Sequence, residues 1–402
     1  MDQKGLTMIL VTSQDWGGVQ AYVLDLALAL KSRGLPVIVC AGRPEKLEVR
    51  SLKLDVGRGT SDVGRELGDK CLEAGIEFIE LKRMIRDINP ISNTRALFEL
   101  ISLFKKHQPH TVHLNSSMMG AVGSLAARIA GIQRVVYCIG GWAFNEQISS
   151  WKKSLYITIE KISARWKDVI ICVHPGDEKL ALDIKIKPRE KVMTIPNGID
   201  VNLFQSQLRD RETAHSLLAE RCTMYDVRCT VVGTVANSYP PKNLFWYLEV
   251  CKTITDKHPD FKFVIIGDGP QFEELKAKHA SLNLQDKVIL TGRFESKLLY
   301  TAFDISVLPS TKEGMPLAVL ESMAAKVPCV VTDVGGCRWM LQDEQGSAGL
   351  VIPPNDDKAL EQAIEKLASN SLLRQELSQR AYNLVTEKFN LQDTLNKTIE
   401  TL

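Results

Sequence analysis

No window of the 402-residue chain approaches the roughly 20 consecutive apolar residues that a membrane-spanning helix needs. No short window carries a dense Lys/Arg run, and the formal net charge is only +2, which argues against a dedicated nucleic-acid binder. The nine cysteines include no C-x-x-C pair and no regular spacing, so mostly reduced thiols in a reducing compartment are expected. No D-x-D occurs, and with it goes the obvious carboxylate pair for a bridging Mg²⁺; no other metal site is expected. No G-x-G-x-x-G follows the first apolar strand, which removes a Rossmann dehydrogenase. Internal repeats and low-complexity segments are also missing. The start, MDQKGLTMIL, holds only a short apolar run before Ser13, Gln14 and Asp15, and reads as a first strand rather than a signal peptide. These absences lead us to expect a cytoplasmic protein, with peripheral attachment to the inner face of a membrane left open.

What is present is a repeated alternation of strand and helix. With 45% hydrophobic and 24% charged residues, the chain has the composition of a folded globular protein, and its length suits two domains near 200 residues each. Apolar runs of strand length sit at Thr7–Val11, Pro36–Cys40, Ile76–Ile79, Thr111–Leu114, Val135–Ile139, Val169–Val173 and Val192–Ile195. They restart at Thr230–Val235, Phe263–Ile266, Val288–Leu290, Ile305–Leu308, Cys329–Val331 and Leu350–Ile352. Helix-period segments lie between most of them, including 62–74, 146–166 and 295–303. Continuous apolar strands alternating with amphipathic helices predict parallel sheets covered on both faces. The expected fold is therefore α/β, with two Rossmann-like, doubly wound domains facing across a cleft. The expected boundaries are 1–197, a linker at 198–228 after the Pro196-Asn197-Gly198 turn, 229–385, and a C-terminal helix at 386–402 that could pack back on the first domain. Residues 1–200 hold 28 Lys and Arg against 22 Asp and Glu, whereas 201–402 hold 22 against 26, which points an acidic partner to the first half.

The chemistry concentrates between Asp304 and Val334. A strand ends at Pro309, the polar turn Ser310-Thr311-Lys312-Glu313-Gly314 follows, and Pro316 opens a helix carrying Glu321. The unpaired N–H groups of a first helical turn, with the helix dipole, favour an anion. Carboxylates do not bind phosphate but accept hydrogen bonds from sugar hydroxyls. Amide donors for a diphosphate, flanked by Glu313 and Glu321, describe a nucleotide-sugar pocket. The bland alternative makes Glu313 a helix-start residue favoured by the dipole and Glu321 a solvated helix residue. Elsewhere, Gly17-Gly18 opens a helix after the first strand, which permits close backbone approach to a phosphate. Lys242 follows the Tyr239-Pro240-Pro241 turn at a helix start, an unfavourable place for a cation unless an anion binds there. Arg293-Phe294 follows the next-but-one strand and could border a nucleobase. His113, inside an apolar strand, reads as a core histidine.

The segment EGMPLAVLESMAAKVPCVVTDVGG resembles the hallmark of the retaining family-4 (group 1) glycosyltransferases of the GT-B fold. GGVQAYVLDLALAL, VHLNSS, IPNGID, VIIGDGP, VILTGRF and GLVIPPND resemble other segments of that family, in the same order along nearly the whole chain. The resemblance implies transfer of a sugar, with retention, from a nucleoside diphosphate sugar to a hydroxyl acceptor, in surface polysaccharide or glycolipid assembly and without a cofactor or metal. It implies that Glu313 contacts the donor sugar's hydroxyls and Glu321 the ribose. The diphosphate would lie on the Gly17-Gly18 loop and on the backbone of Gly314, Met315 and Leu317, with Lys242 neutralising it. The acceptor would be a glycan or a lipid-linked glycan. Three positions depart from the pattern. Gly140 stands where relatives usually carry a His, no Arg accompanies Lys242 (Thr234 and Tyr239 are nearest to its place), and Trp339 replaces an acid after Gly335-Gly336. A catalytically silent GT-B scaffold that binds a glycan or partner is the competing reading; a sugar-nucleotide epimerase is a more distant one.

Residues 146–167 carry Ile148, Trp151, Leu155, Ile159, Ile162 and Trp166 on one helical stripe, with Lys152, Lys153, Lys161, Arg165 and Lys167 around it. Either the stripe packs on the first sheet and the lysines are solvated, or it lies on an anionic membrane surface.

Overall fold

The computed structural model describes residues 5–43, 66–84, 90–146, 148–220 and 228–402. The charged stretch 43–68 lies mostly outside them. The chain forms two compact units. One takes the described residues up to Asn197 and returns for Gln392–Leu402; the other takes Gly198–Leu391.

The first unit is a seven-stranded parallel sheet. Its strands are β1 (Thr7–Val11), β2 (Val37–Gly42), β3 (Glu77–Leu81), β4 (Thr111–Asn115), β5 (Arg134–Ile139), β6 (Val169–Cys172) and β7 (Lys191–Thr194), in the order β3-β2-β1-β4-β5-β6-β7. β1 and β4 are buried along their whole length, which an all-parallel sheet achieves only with both faces covered. Met8, Leu10, Leu100, Phe104, Val112 and Leu114 belong to the core between strands and helices.

The second unit is a six-stranded parallel sheet built from β8 (Thr230–Val235), β9 (Phe261–Ile266), β10 (Val288–Gly292), β11 (Ile305–Leu308), β12 (Cys329–Thr332) and, after a short antiparallel hairpin of β13 (Gln342–Asp343) and β14 (Gly346–Ser347), β15 (Leu350–Ile352). Its order is β10-β9-β8-β11-β12-β15. Both sheets thus have the order of a doubly wound α/β fold.

All thirteen strands read from the sequence are present. The differences lie in short elements. The expected helix at 295–303 is two 3-10 turns, Ser296–Leu298 and Tyr300–Ala302. The stretch expected as a linker carries the helices Val201–Ser206 and Arg211–Ala219, capped by the Asp200 and Asp210 carboxylates on the Leu203 and Thr213 amides. The tail is two helices, Ser371–Lys388 and Leu391–Ile399.

The helix Ser150–Ala164 turns part of the expected stripe outward. Trp151, Leu155 and Ile162 are 65%, 42% and 48% exposed. Its inward face mixes Ala164, Tyr156 and Ile157, which belong to or pack on the core, with a polar set: Lys167 Nζ, fully buried, donates to Glu160 Oε2 at 2.9 Å and to Ser163 Oγ at 3.0 Å, and sits 4.1 Å from the centre of the Tyr137 ring. Lys167 lies just past the helix end and reaches back to Glu160 and Ser163 in its last turn; a desolvated charge holds only if paired this way. The stripe is therefore divided: Trp151, Leu155 and Ile162 are exposed, whereas Ile148, Ile159 and Trp166 are half-buried.

Residues 392–402 complete the first unit. Leu395 and Ile399 are buried, Thr111 Oγ1 donates to the Leu402 carbonyl at 2.9 Å, Arg134 Nε to the Thr401 carbonyl at 2.8 Å, and Thr394 Oγ1 to the Pro196 carbonyl at 2.8 Å. Deleting Gln392–Leu402 is expected to lower the melting temperature and to speed amide exchange in β4 and β5, leaving β8 and β9 protected. Unchanged protection of β4 and β5 in the truncated protein would contradict this.

Candidate active site

In each sheet the strand order reverses once, between β1 and β4 in the first and between β8 and β11 in the second. The loops leaving those strands diverge, and ligands of such sheets bind at that carboxyl edge. The candidate residues fall there. Gly17 and Gly18 follow β1, Lys242 follows β8, and Glu313 follows β11.

The second unit brings Lys242 and Glu313 together. Lys242 Nζ donates to Glu313 Oε1 at 2.6 Å, and Ser310 Oγ donates to the same oxygen at 2.6 Å. The Glu313 side chain is 9% exposed and that of Lys242 is 26% exposed. Glu313 is thus a buried acceptor rather than a solvated helix-start residue. The two loops are tied by the Thr311 amide, which donates to the Pro241 carbonyl at 2.8 Å, and by Asn243 Nδ2 donating to the Pro309 carbonyl at 3.4 Å. Thr332 Oγ1, from the end of β12, donates to the Ser310 carbonyl at 2.6 Å.

Two glycines make this closeness possible. A Cβ on Gly335 (φ +52°) would lie 2.0 Å from the Glu313 carbonyl oxygen, and the neighbouring Gly336 amide donates to the Gly314 carbonyl at 2.7 Å. A Cβ on Gly267 (φ +146°) would lie 2.2 Å from the Ala236 carbonyl oxygen, on the loop leading to Lys242.

The helix Leu317–Ala324 starts beside this pair. Pro316 is its N-cap, no side chain caps it, and no acidic residue stands in its first turn, so its leading amides and dipole suit an anion. Gly314 and Met315 are buried and Leu317 is half-buried at the helix start. Glu321, one face further along, is not solvated either. Its Oε2 accepts from Tyr300 OH at 2.9 Å and from Ser296 Oγ at 3.4 Å. Burial pushes its carboxyl above the ordinary value, opposed by the Tyr300 hydrogen bond, the Lys297 charge and the Ser296 hydrogen bond. Arg293 and Phe294, both half-buried, follow the edge strand β10 and lead into the turn that carries Ser296.

In the first unit Gly17 is the extended N-cap of the helix Gly18–Ser32, which has no capping side chain and no acid in its first turn. Gly140, at the end of β5, is exposed, and a Cβ there would meet nothing within 4 Å, so sterics do not require glycine. His113 is fully buried between Tyr22 OH (3.3 Å) and Asn115 Nδ2 (3.1 Å), and burial lowers its pKa to about 3, so it is a neutral core residue. Thr234 is fully buried inside β8 and offers the site no charge in place of an arginine. Trp339, at the position where the resembled family carries an acid, packs edge-on against Phe389 at 5.4 Å. Ser310, Gly335, Ser296 and Tyr300 were not singled out as site residues from the sequence. Gly335 lies inside the quoted hallmark segment and Ser310 in the polar turn just before it, but nothing in their spacing distinguishes them. Among the described residues, no group of three or more His, Cys, Asp or Glu side chains could hold a metal ion, and no helix is long and apolar enough to cross a membrane.

The family model described as Glycosyltransferase Family 4 matches residues 16–203, and that described as Glycosyl transferases group 1 matches 228–384. The chain is similar to the UDP-Gal:alpha-D-GlcNAc-diphosphoundecaprenol alpha-1,3-galactosyltransferase of Escherichia coli, at 29% identity over 81% of this chain and 83% of that one. It is similar to the capsular polysaccharide biosynthesis glycosyltransferase CapM of Staphylococcus aureus, at 24% identity over 91% and 93%. Among solved structures, Anabaena HepE in complex with UDP and glucose superposes with a TM-score of 0.76, at 16% identity over 98% of both chains.

The ion pair makes a stability prediction of its own. Lys242→Met should cost about 1–3 kcal/mol, because it strands a mostly buried carboxylate. Lys242→Met combined with Glu313→Gln should recover most of that loss. Denaturant unfolding of the three proteins checks it; equal stability of the single and double variants would show that the carboxylate is not held by Lys242.

Proposed function

This chain belongs to the group 1, family 4 glycosyltransferases of the GT-B fold, and from that premise we propose that it moves a hexose, with retention, from a UDP-sugar to a hydroxyl of a lipid-linked glycan during surface polysaccharide or glycolipid assembly. The observation that carries the site assignment is the Lys242–Glu313 pair at the reversal point of the second sheet, beside an uncapped helix start. The choice of a UDP-sugar follows the E. coli relative, whose name specifies UDP-Gal and a diphospholipid-linked acceptor.

The difficult step is departure of the diphosphate, which develops negative charge on the leaving oxygen. Groups already fixed where that charge appears stabilise the transition state without reorganising. Lys242 and the amides from Gly314 to Leu317 take that role. Glu313 accepts hydrogen bonds from hydroxyls of the donor sugar, Glu321 from the ribose, and Arg293-Phe294 borders the base. The Gly17-Gly18 turn, at the reversal point of the first sheet, is assigned to an anionic phosphate on the same helix-terminus chemistry. With no donor bound, Lys242 and Glu313 neutralise each other; an arriving phosphate takes over the lysine and frees the carboxylate for the sugar. The leaving phosphate itself takes the acceptor's proton. The boundaries of function follow the units: donor binding in the second, acceptor choice in the first.

Glu313→Ala is expected to lower kcat on the true donor by at least about 100-fold, the scale of removing a transition-state contact, with the protein still folded. A screen of UDP-hexoses for transfer and slow donor hydrolysis supplies the measurement. Turnover in wild type should persist in excess EDTA, because Lys242 and helix amides carry the phosphate charge. Wild-type turnover in Glu313→Ala would remove the site assignment, and an activity restored only by added Mg²⁺ or Mn²⁺ would remove the charge assignment.

The outward stripe on the helix Ser150–Ala164 supports attachment to an anionic membrane, where a lipid-linked acceptor resides. Exposed Trp151, Leu155 and Ile162 stand among exposed Lys152, Lys153, Lys161 and Arg165, the combination that an interfacial helix presents to anionic lipid. The protein is expected to co-sediment with phosphatidylglycerol-containing vesicles at low salt and to be released by raised salt or by converting Lys152, Lys153 and Lys161 to Glu. Absence of binding at low salt would leave a soluble acceptor as the better reading.

A further inference from the structure

Tyr300 is fully buried in the turn between β10 and β11, wedged edge-on against Phe204 (ring centres 5.8 Å apart) and Phe303 (5.6 Å). Its hydroxyl lies 2.9 Å from Glu321 Oε2 and 3.2 Å from the Ala318 carbonyl, so its single proton is shared between a carboxylate and the helix that carries it. Ser296 Oγ donates to the same Oε2 at 3.4 Å. Among the described residues, no hydrogen bond reaches Oε1.

Two donors on one oxygen fix the plane of a carboxylate and leave the other oxygen's lone pairs in a set direction. Ordering a free Glu side chain at the moment of binding costs rotamer entropy, and a carboxylate held in advance avoids that cost. We propose that Tyr300, supported by Ser296, is a positioning residue that aims Glu321 Oε1 at the ribose hydroxyls of the donor nucleotide, so that preference for a ribonucleotide passes through a phenol the ligand does not touch. This rests on the assignment of Glu321 to the ribose. The phenol is suited to the role: burial, with the Glu321 charge adding to it, holds the Tyr300 pKa well above its ordinary value, so the hydroxyl stays a donor across the working pH range. Its aromatic contacts belong to the ring and would survive loss of the hydroxyl. Neither Phe204 nor Phe303 has a polar group that could take its place.

The test compares binding of UDP and of 2′,3′-dideoxy-UDP by calorimetry in wild type, Tyr300→Phe, Ser296→Ala and Glu321→Gln. Wild type should bind UDP at least about tenfold more tightly, the value of one well-made hydrogen-bond set. Tyr300→Phe should lose about five- to tenfold in UDP affinity and nothing for the dideoxy nucleotide, so that the ratio collapses toward one; Ser296→Ala should do the same more weakly. A fall in both affinities together, or an unchanged ratio in Tyr300→Phe while Glu321→Gln abolishes it, overturns the positioning role and leaves Glu321 on the ribose. If wild type fails to bind UDP or to discriminate, or if Glu321→Gln discriminates as wild type does, the ribose assignment fails and the proposal with it. Thermal unfolding of each variant separates these outcomes from loss of fold.

Discussion

Two opposite charges, Lys242 and Glu313, share one small space at the end of β8 and β11, and the second unit depends on keeping them paired there. Their 2.6 Å contact lets each compensate the other's charge in a mostly desolvated place. Several features of the surrounding backbone serve that contact. The Thr311 amide joins the two loops at the Pro241 carbonyl, Ser310 adds a second donor to the carboxylate, and Gly335 yields the space that the Glu313 carbonyl occupies. A Cβ at Gly335 could not be accommodated by moving a flexible side chain, because the obstacle is backbone.

The same logic, a buried charge made tolerable by pairing, shapes the first unit differently. Lys167 and Glu160 sit under the helix Ser150–Ala164, with Ser163 and the Tyr137 ring completing the shell around the ammonium. They share the inward face with Ala164, Tyr156 and Ile157. Trp151, Leu155 and Ile162 are left exposed on one face of this helix. Glu321 follows the rule a third time: burial raises its pKa, and hydrogen bonds from Tyr300 and Ser296 with the charge of Lys297 partly restore the ionised form.

Much of the architecture was readable from residues alone. Thirteen apolar runs gave thirteen strands, because a strand buried on both faces must be apolar along its whole length and little else in a chain looks like that. The ordered hallmark segments gave the family, and Glu313, Lys242 and the helix after Pro316 do converge. The failures were of two physical kinds. Short helices and 3-10 turns, as at 296–302 and 201–219, depend on caps and local packing more than on periodicity. The orientation of 150–164 stayed open between two readings because apolar periodicity does not show that a polar set at 160, 163 and 167 can face inward when its members satisfy one another.

By itself, the sequence determined the two parallel sheets, the family and the residue types available for chemistry, since each is written in local composition and order. Tertiary structure alone decided which of those residues touch. Lys242 and Glu313 are 71 positions apart, and Tyr300 and Glu321 are 21 apart across a strand and a turn. The meeting of Lys242 and Glu313 follows from the reversal of strand order between β8 and β11 and from a glycine that lets two backbones approach, and neither leaves a local trace at the residues it brings together.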